Sequence, residues 1–373
     1  MKKKKDNLGF LSSLFAIIVG LLVGFIILLI SNPSQAAAGF ATIITGPVTH
    51  GMKGIGQVLY YATPIILTGL SVGFAFKTGL FNIGASGQFI IGGFAAVYVG
   101  IKCGSLGPIH WVVALVAAII AGMIWGAVPG IFKAFFNVNE VISCIMMNYI
   151  GMYLVNFLVS TNTGLYDKIR NYSKDVAKTA NVPKMGLDSL FAGSSVNGGF
   201  IISVIAVIVI YIILQKTIFG YELKAAGFNA DASKYAGMNE KRNIILSMAI
   251  AGGLSALAGG LLYLAGSGKH IVIEDILASE GFTGISVALL GLSNPIGVLF
   301  AGLFIAYITA GGFYLQLLNF STEIIDIIIA VIIYFSAFSL FVRGFILKIR
   351  KNRAEKQLSK PESSGLEQGK DGK

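Results

Sequence analysis

Four side chains in this sequence combine hydrogen-bonding capacity with an apolar setting. Asn82, Ser86 and Gln88 lie in KTGLFNIGASGQFIIGG (77–93), and Asn148 lies inside the apolar run 141–160. Each can donate and accept hydrogen bonds, and none is charged. Such a set does no acid–base or nucleophilic work and would not trap an ion. It suits recognition of a neutral, polar solute, with Phe81, Phe89 and Phe94 offering aromatic faces to a flat ring. The same groups could instead staple helices together, and spacing does not separate the two uses. Residues with ordinary catalytic chemistry are sparse. His50, His110 and His270 are scattered near the ends of apolar runs, and Cys103 and Cys144 lack metal spacing. The chain therefore reads as no enzyme, with no cofactor or metal expected. AGSGKH (265–270) superficially suggests a phosphate loop, but Tyr263 stands where its first glycine belongs and His270 where Ser or Thr belongs.

Membrane-spanning elements must hold these residues. Of 373 residues, 55% are hydrophobic and only 12% charged, against about 25% charged in soluble domains. A spanning helix needs roughly 20 mostly apolar residues. Candidate spans fall at 10–30, 57–76, 80–101, 111–132, 141–160, 199–216, 244–265, 276–292, 295–312 and 323–342. The expected fold is an all-α polytopic membrane protein with about ten transmembrane helices (eight to ten). The glycine-rich spans 80–101 and 276–292 are expected to be broken or re-entrant. SQAAAGF offers small residues like a cleavage site, but the preceding apolar run exceeds the roughly 7–15 residues of a signal core. An uncleaved first helix is expected.

The net charge of +11 sits beside the membrane runs rather than in a patch for nucleic acid. Lys2 to Lys5 open the chain, Lys224, Lys234, Lys241 and Arg242 crowd one polar segment, and a basic run starts at Arg343. Clusters of this kind mark cytoplasmic ends. The expected organisation is a basic cytoplasmic N-terminus (1–9), a transmembrane domain (10–342) and a basic, disordered cytoplasmic tail (343–373). Within the domain, 161–198 is an extracytoplasmic loop and 217–243 a cytoplasmic segment, with both termini inside. The loop strains this topology, because it carries Lys168, Arg170, Lys174, Lys178 and Lys184, only partly offset by Asp167, Asp175 and Asp188.

Segment 217–243 reads as a short helix. Asn229 is a good N-cap, and Gly237 falls where a C′ glycine belongs. Ala232, Ser233 and Ala236 are small, and Tyr235 and Met238 offer apolar contact. This suits docking into a partner's groove; an ordinary solvated loop would look the same. Gly122, Gly126 and Gly130, four apart, predict close helix packing.

ELKAAGFNADASKYAGMN (222–239) resembles the cytoplasmic signature of ABC importer permeases for sugars, branched-chain amino acids and nucleosides. Leu223, Ala225, Gly227, Asn229, Ala232, Ala236 and Gly237 match that pattern, and Lys224, Ser233 and Met238 depart from it mildly. KTGLFNIGASGQFIIGG (77–93), NVNEVISCIMMNYI (137–150) and EGFTGISVALLGLSNPIG (280–297) look like the nucleoside branch of that superfamily. The resemblance implies a permease subunit in a bacterial cell membrane, multi-pass, with a 5+5 helix repeat. It implies a second permease chain, identical or homologous, and two cytoplasmic ATPase subunits that dock on 217–243, around Tyr235 and the residues just named. An extracytoplasmic lipoprotein would deliver the nucleoside. Two other readings stand beside it. One is the same machine for a simple sugar or branched-chain amino acid. The other is an ion-coupled secondary transporter, which would want midplane carboxylates, whereas Glu274, Asp275, Glu280, Glu323 and Asp326 lie near expected span ends.

Overall fold

Long apolar runs leave the backbone no partner but itself in a bilayer, so they close their hydrogen bonds as helices. The computed structural model describes residues 8–321, 323–331 and 334–335. In chain order the helices are α1 (Leu8–Ser31), α2 (Ala36–Thr49), α3 (Gly51–Lys77), α4 (Ala85–Lys102), α5 (His110–Phe136), α6 (Glu140–Thr161), α7 (Leu187–Leu190), α8 (Gly199–Lys216), α9 (Ile218–Phe228), α10 (Ala230–Tyr235), α11 (Glu240–Tyr263), α12 (Ser279–Leu290) and α13 (Pro295–Phe313). Residues 323–331 are also helical. A small hairpin, β1 (Tyr166–Asp167) with β2 (Tyr172–Ser173), lies in loop 161–198. Among the described residues, seven helices are long and apolar enough to cross a membrane. The all-α polytopic class stands. The expected tail 343–373, most of the expected N-terminal segment 1–9 and the end of the expected span 323–342 lie outside the described residues.

Helix α11 is the central element, packed against α3, α4 and α5. The spaced glycines explain how it fits. A Cβ at Gly122 would overlap Ala256 and the Gly252 carbonyl, and one at Gly126 would overlap the Met248 carbonyl. On the other side, a Cβ at Gly259 would overlap the Phe89 carbonyl. Close backbone approach of this kind holds helices together where lipid supplies no hydrophobic drive. Gly126→Leu is therefore expected to cost at least about 1–3 kcal/mol of packing. It should show as a marked loss of monodisperse protein on size-exclusion chromatography; an unchanged yield would contradict the packing.

Three features of the spans carry information, the last two at the glycine-rich runs where breaks were expected. First, α2 occupies a stretch expected to be an outer connection. It is anchored by packing rather than by length: the Tyr307 hydroxyl donates to the Ile44 carbonyl, Gly46 faces the Tyr314 ring, and Gly39 faces Phe320. Second, the span expected at 80–101 starts as α4 only at Ala85, after a non-helical stretch. Third, the span expected at 276–292 is the 12-residue α12, about 18 Å long, or little more than half of a hydrocarbon core roughly 30 Å thick.

The short helices have opposite directions. Helices α3 and α11 are antiparallel, tied by Ser71 Oγ to the Ala251 carbonyl (2.6 Å) and by Thr78 Oγ1 to Ser247 Oγ (2.7 Å). Helix α4 follows α11: Ser255 Oγ donates to the Ala85 carbonyl at 2.6 Å, and Gly93 lies against Tyr263. Helix α12 follows α3, with Gly284 on Thr68 and Gly73 on Ala288. So α4 and α12 run apart from a common level. There the first turn of one abuts the first turn of the other, and a Cβ at Gly281 would overlap the Ser86 backbone.

Candidate functional site

The junction of α3, α4 and α12 gathers the polar residues singled out above. At the end of α3, Gly79 takes a left-handed φ of +73°, a conformation that costs glycine little. Residues 78–84 then travel without helical bonding inside the bundle. Buried backbone must find partners, and here side chains supply them. Asn148 Oδ1 accepts from the Gly87 amide at 2.8 Å, and its Nδ2 donates to the Ile83 carbonyl at 3.0 Å. Ser86 Oγ donates to the Ala278 carbonyl at 2.8 Å, joining α4 to the approach of α12.

Asn82 and Gln88 face one another. Asn82 Nδ2 donates to Gln88 Oε1 (2.9 Å), and Gln88 Nε2 returns the bond to Asn82 Oδ1 (3.0 Å). Asn82 Nδ2 also reaches Ser71 Oγ at 3.2 Å. Asn82 is 0% exposed and Gln88 1%. Thus Asn82, Ser86, Gln88 and Asn148 are brought together, with their polar atoms engaged by protein. Phe81 is half-buried and stacks on Phe76, ring centroids 5.2 Å apart. Sequence reasoning missed Ser71, Ser247, Ser255 and Gly281, which complete the junction. Their only signal was small or polar residues inside apolar helices.

The coupling segment is two short helices where one was expected. Thr217 caps α9, accepting from the Gly220 amide at 3.0 Å, and Asn229 caps α10, accepting from the Ala232 amide at 3.0 Å. After α10, the Gly237 amide bonds the Lys234 carbonyl and the Met238 amide bonds the Ser233 carbonyl. This is a Schellman stop, with Gly237 at φ +80°. The named residues divide between two faces. Leu223 is fully buried and Ala225 half-buried, whereas Ala232, Tyr235, Ala236 and Gly237 are exposed. Tyr235 at 94% and Phe228 at 91% exposure are two rings left uncovered by the described residues.

Gly227 joins the two sites. A Cβ built on it would lie 2.7 Å from the Lys77 carbonyl and 2.9 Å from the Gly79 amide nitrogen. The end of α9 therefore rests, backbone on backbone, on the bend that begins 78–84.

A family model described as "Branched-chain amino acid transport system / permease component" matches residues 54–337. The guanosine ABC transporter permease protein NupP of Bacillus subtilis (strain 168) is 38% identical, over 95% of this chain and 100% of its own length. The nucleoside ABC transporter permease protein NupB of Lactococcus lactis subsp. cremoris (strain MG1363) is 34% identical, over 93% and 96%. The glucose ABC transporter permease protein TsgB13 of Haloferax volcanii is 29% identical, over 80% of each chain. No solved structure matches.

Proposed function

We infer function from one premise: this chain belongs to the branched-chain amino acid transport system permease family, as the membrane-spanning permease subunit of an ABC importer. We propose that its substrate is a nucleoside. The single observation that carries this is near-full-length similarity to two permeases named for guanosine and nucleosides, at higher identity than the glucose permease. Competition tests it. Cells that express this chain with its importer partners should take up labelled guanosine, and excess adenosine should abolish that uptake while glucose and leucine leave it intact. Chain-dependent uptake of labelled glucose without guanosine uptake would move the substrate to the sugars.

The mechanism we propose runs from Gly227 to the junction. Separate ATPase subunits, two to an assembly, hydrolyse ATP and hold the exposed faces of α9 and α10, with Tyr235 and Phe228 as apolar anchors. A second permease chain completes the pathway, and an extracytoplasmic lipoprotein delivers the substrate. The side bearing α9 and α10 is cytoplasmic and loop 161–198 is extracytoplasmic, with both termini inside, as the cation placement favours. Helices α3–α4 and α11–α12 are then inverted copies whose broken members meet within the membrane, an arrangement found where transporters place substrate. Movement of α9 shifts the bend at Lys77–Gly79, and α4 parts from α12. Asn82, Ser86, Gln88 and Asn148 hold this junction closed and meet substrate when it opens, with Phe81 as an adjoining wall. The ATP-driven motion thereby biases a two-state element.

Labelling tests the opening. Ser86→Cys in the reconstituted importer should react with a membrane-permeant maleimide faster during ATP turnover than at rest. Equal rates in the two states would remove the junction from the mechanism.

A further inference from the structure

The cations of loop 161–198 are unused by the mechanism above and oppose the orientation rule. The structure gathers some of them. A cavity of about 330 Å³ lies between residues 173–181 and the segment after α11, and Lys174, Lys178, Lys269 and His270 line it together with a single acid, Asp175. Val97, Val176 and Tyr263 add apolar and aromatic surface to its lining. Tyr172 stacks on the lining residue His270, with centroids 4.3 Å apart. Lys178 and Lys269 make no ion pair among the described residues, and Asp175 faces His270 at 3.4 Å. The lysines lining the cavity thus outweigh its one carboxylate.

The walls are built rather than loose. The Ser173 amide donates to the Ile271 carbonyl (2.9 Å), and the Ile271 amide donates to Ser173 Oγ (3.1 Å). The Ala177 amide is tied to the Gly100 carbonyl, and the Val182 amide to the Leu264 carbonyl, both at 2.9 Å. His110 holds Thr179 Oγ1 at 2.9 Å with one ring nitrogen and the Val99 carbonyl at 2.9 Å with the other. Cations that cost orientation energy, gathered around a preformed hollow lined in part by Tyr263, fit a ligand with a flat ring and an anionic end.

We propose that this cavity is a binding site for a small organic anion of that kind, a nucleoside monophosphate being the chemical class that matches its size and lining. The site is separate from the helix junction. Its extracytoplasmic placement rests on the orientation proposed above, but binding to purified protein does not depend on that orientation or on transport.

The test is equilibrium binding of guanosine 5′-monophosphate to the full-length chain in nanodiscs of zwitterionic lipid. Saturable binding is expected, competed by inorganic phosphate and only weakly by guanosine. Lys178→Gln and Lys269→Gln, both on exposed side chains, should each weaken it about tenfold, the scale of one lost charge-assisted hydrogen bond. Asp175→Asn should tighten it. Absence of binding, indifference to the lysine substitutions, or equal competition by guanosine would overturn the proposal. Nanodiscs containing phosphatidylglycerol distinguish the source of the anion. Binding retained there supports a soluble ligand, and binding lost there assigns the cavity to a lipid headgroup and overturns it.

Discussion

Gly227→Ala should cut ATP-driven uptake about five- to a hundredfold while leaving the protein in the membrane. The added methyl group would sit 2.7 Å from the Lys77 carbonyl and 2.9 Å from the Gly79 amide nitrogen. Both neighbours are backbone, so no side chain can rotate away. Overpacking of this kind costs about 1–3 kcal/mol, and each 1.4 kcal/mol is a factor of about ten. The strain falls on the contact between α9 and the bend, not on the helices that cross the membrane. Expression and membrane extraction should be near normal. Gly227→Trp should abolish uptake. The measurement is nucleoside uptake beside substrate-stimulated ATPase activity in the assembled importer, both of which should fall. Wild-type uptake by the tryptophan variant would remove Gly227 from the coupling route.

Asn82→Leu is the second large effect, and it acts on stability. Leucine keeps the branched shape of asparagine at a larger volume but returns neither bond to Gln88. The Gln88 amide would keep its burial and lose both partners at Asn82. An unsatisfied buried polar group costs about 1–3 kcal/mol, so a total of several kcal/mol is expected. The asymmetry gives a sharper check. Removing both partners of a buried pair is cheaper than removing one, so Asn82→Leu combined with Gln88→Leu should recover stability relative to Asn82→Leu alone. Thermal unfolding of the purified variants measures this. A double variant less stable than either single one would mean that the two amides do not act as a pair.

The sequence was most legible where local chemistry decides. Hydropathy located the long helices, Asn229 and Gly237 marked the ends of α10, and the spaced glycines of α5 marked its packing face. Legibility failed where tertiary contact decides. Helix α2 is apolar but short and contains Pro47; its partners, Tyr307, Tyr314 and Phe320, lie more than 250 residues away in the chain. The breaks before α4 and α12 were hinted at by glycine content, but their meeting at Ser86 and Gly281 depends on the directions of α3 and α11, which hydropathy does not encode. Neutral polar groups at 82, 86, 88 and 148 fit recognition or stapling equally well. Only the geometry displays the reciprocal amide pair and the bonds of Asn148 to Ile83 and Gly87.

The central claim is that this chain is the passive, nucleoside-conducting half of an ATP-driven machine whose motor is another polypeptide. Proteoliposomes containing this chain, its ATPase subunits and its substrate-binding partner test it most directly. Labelled guanosine should accumulate against its gradient with ATP on the ATPase side, and accumulation should vanish when the ATPase subunits are omitted. Guanosine accumulation without ATPase subunits, driven by a proton or sodium gradient, would contradict the account.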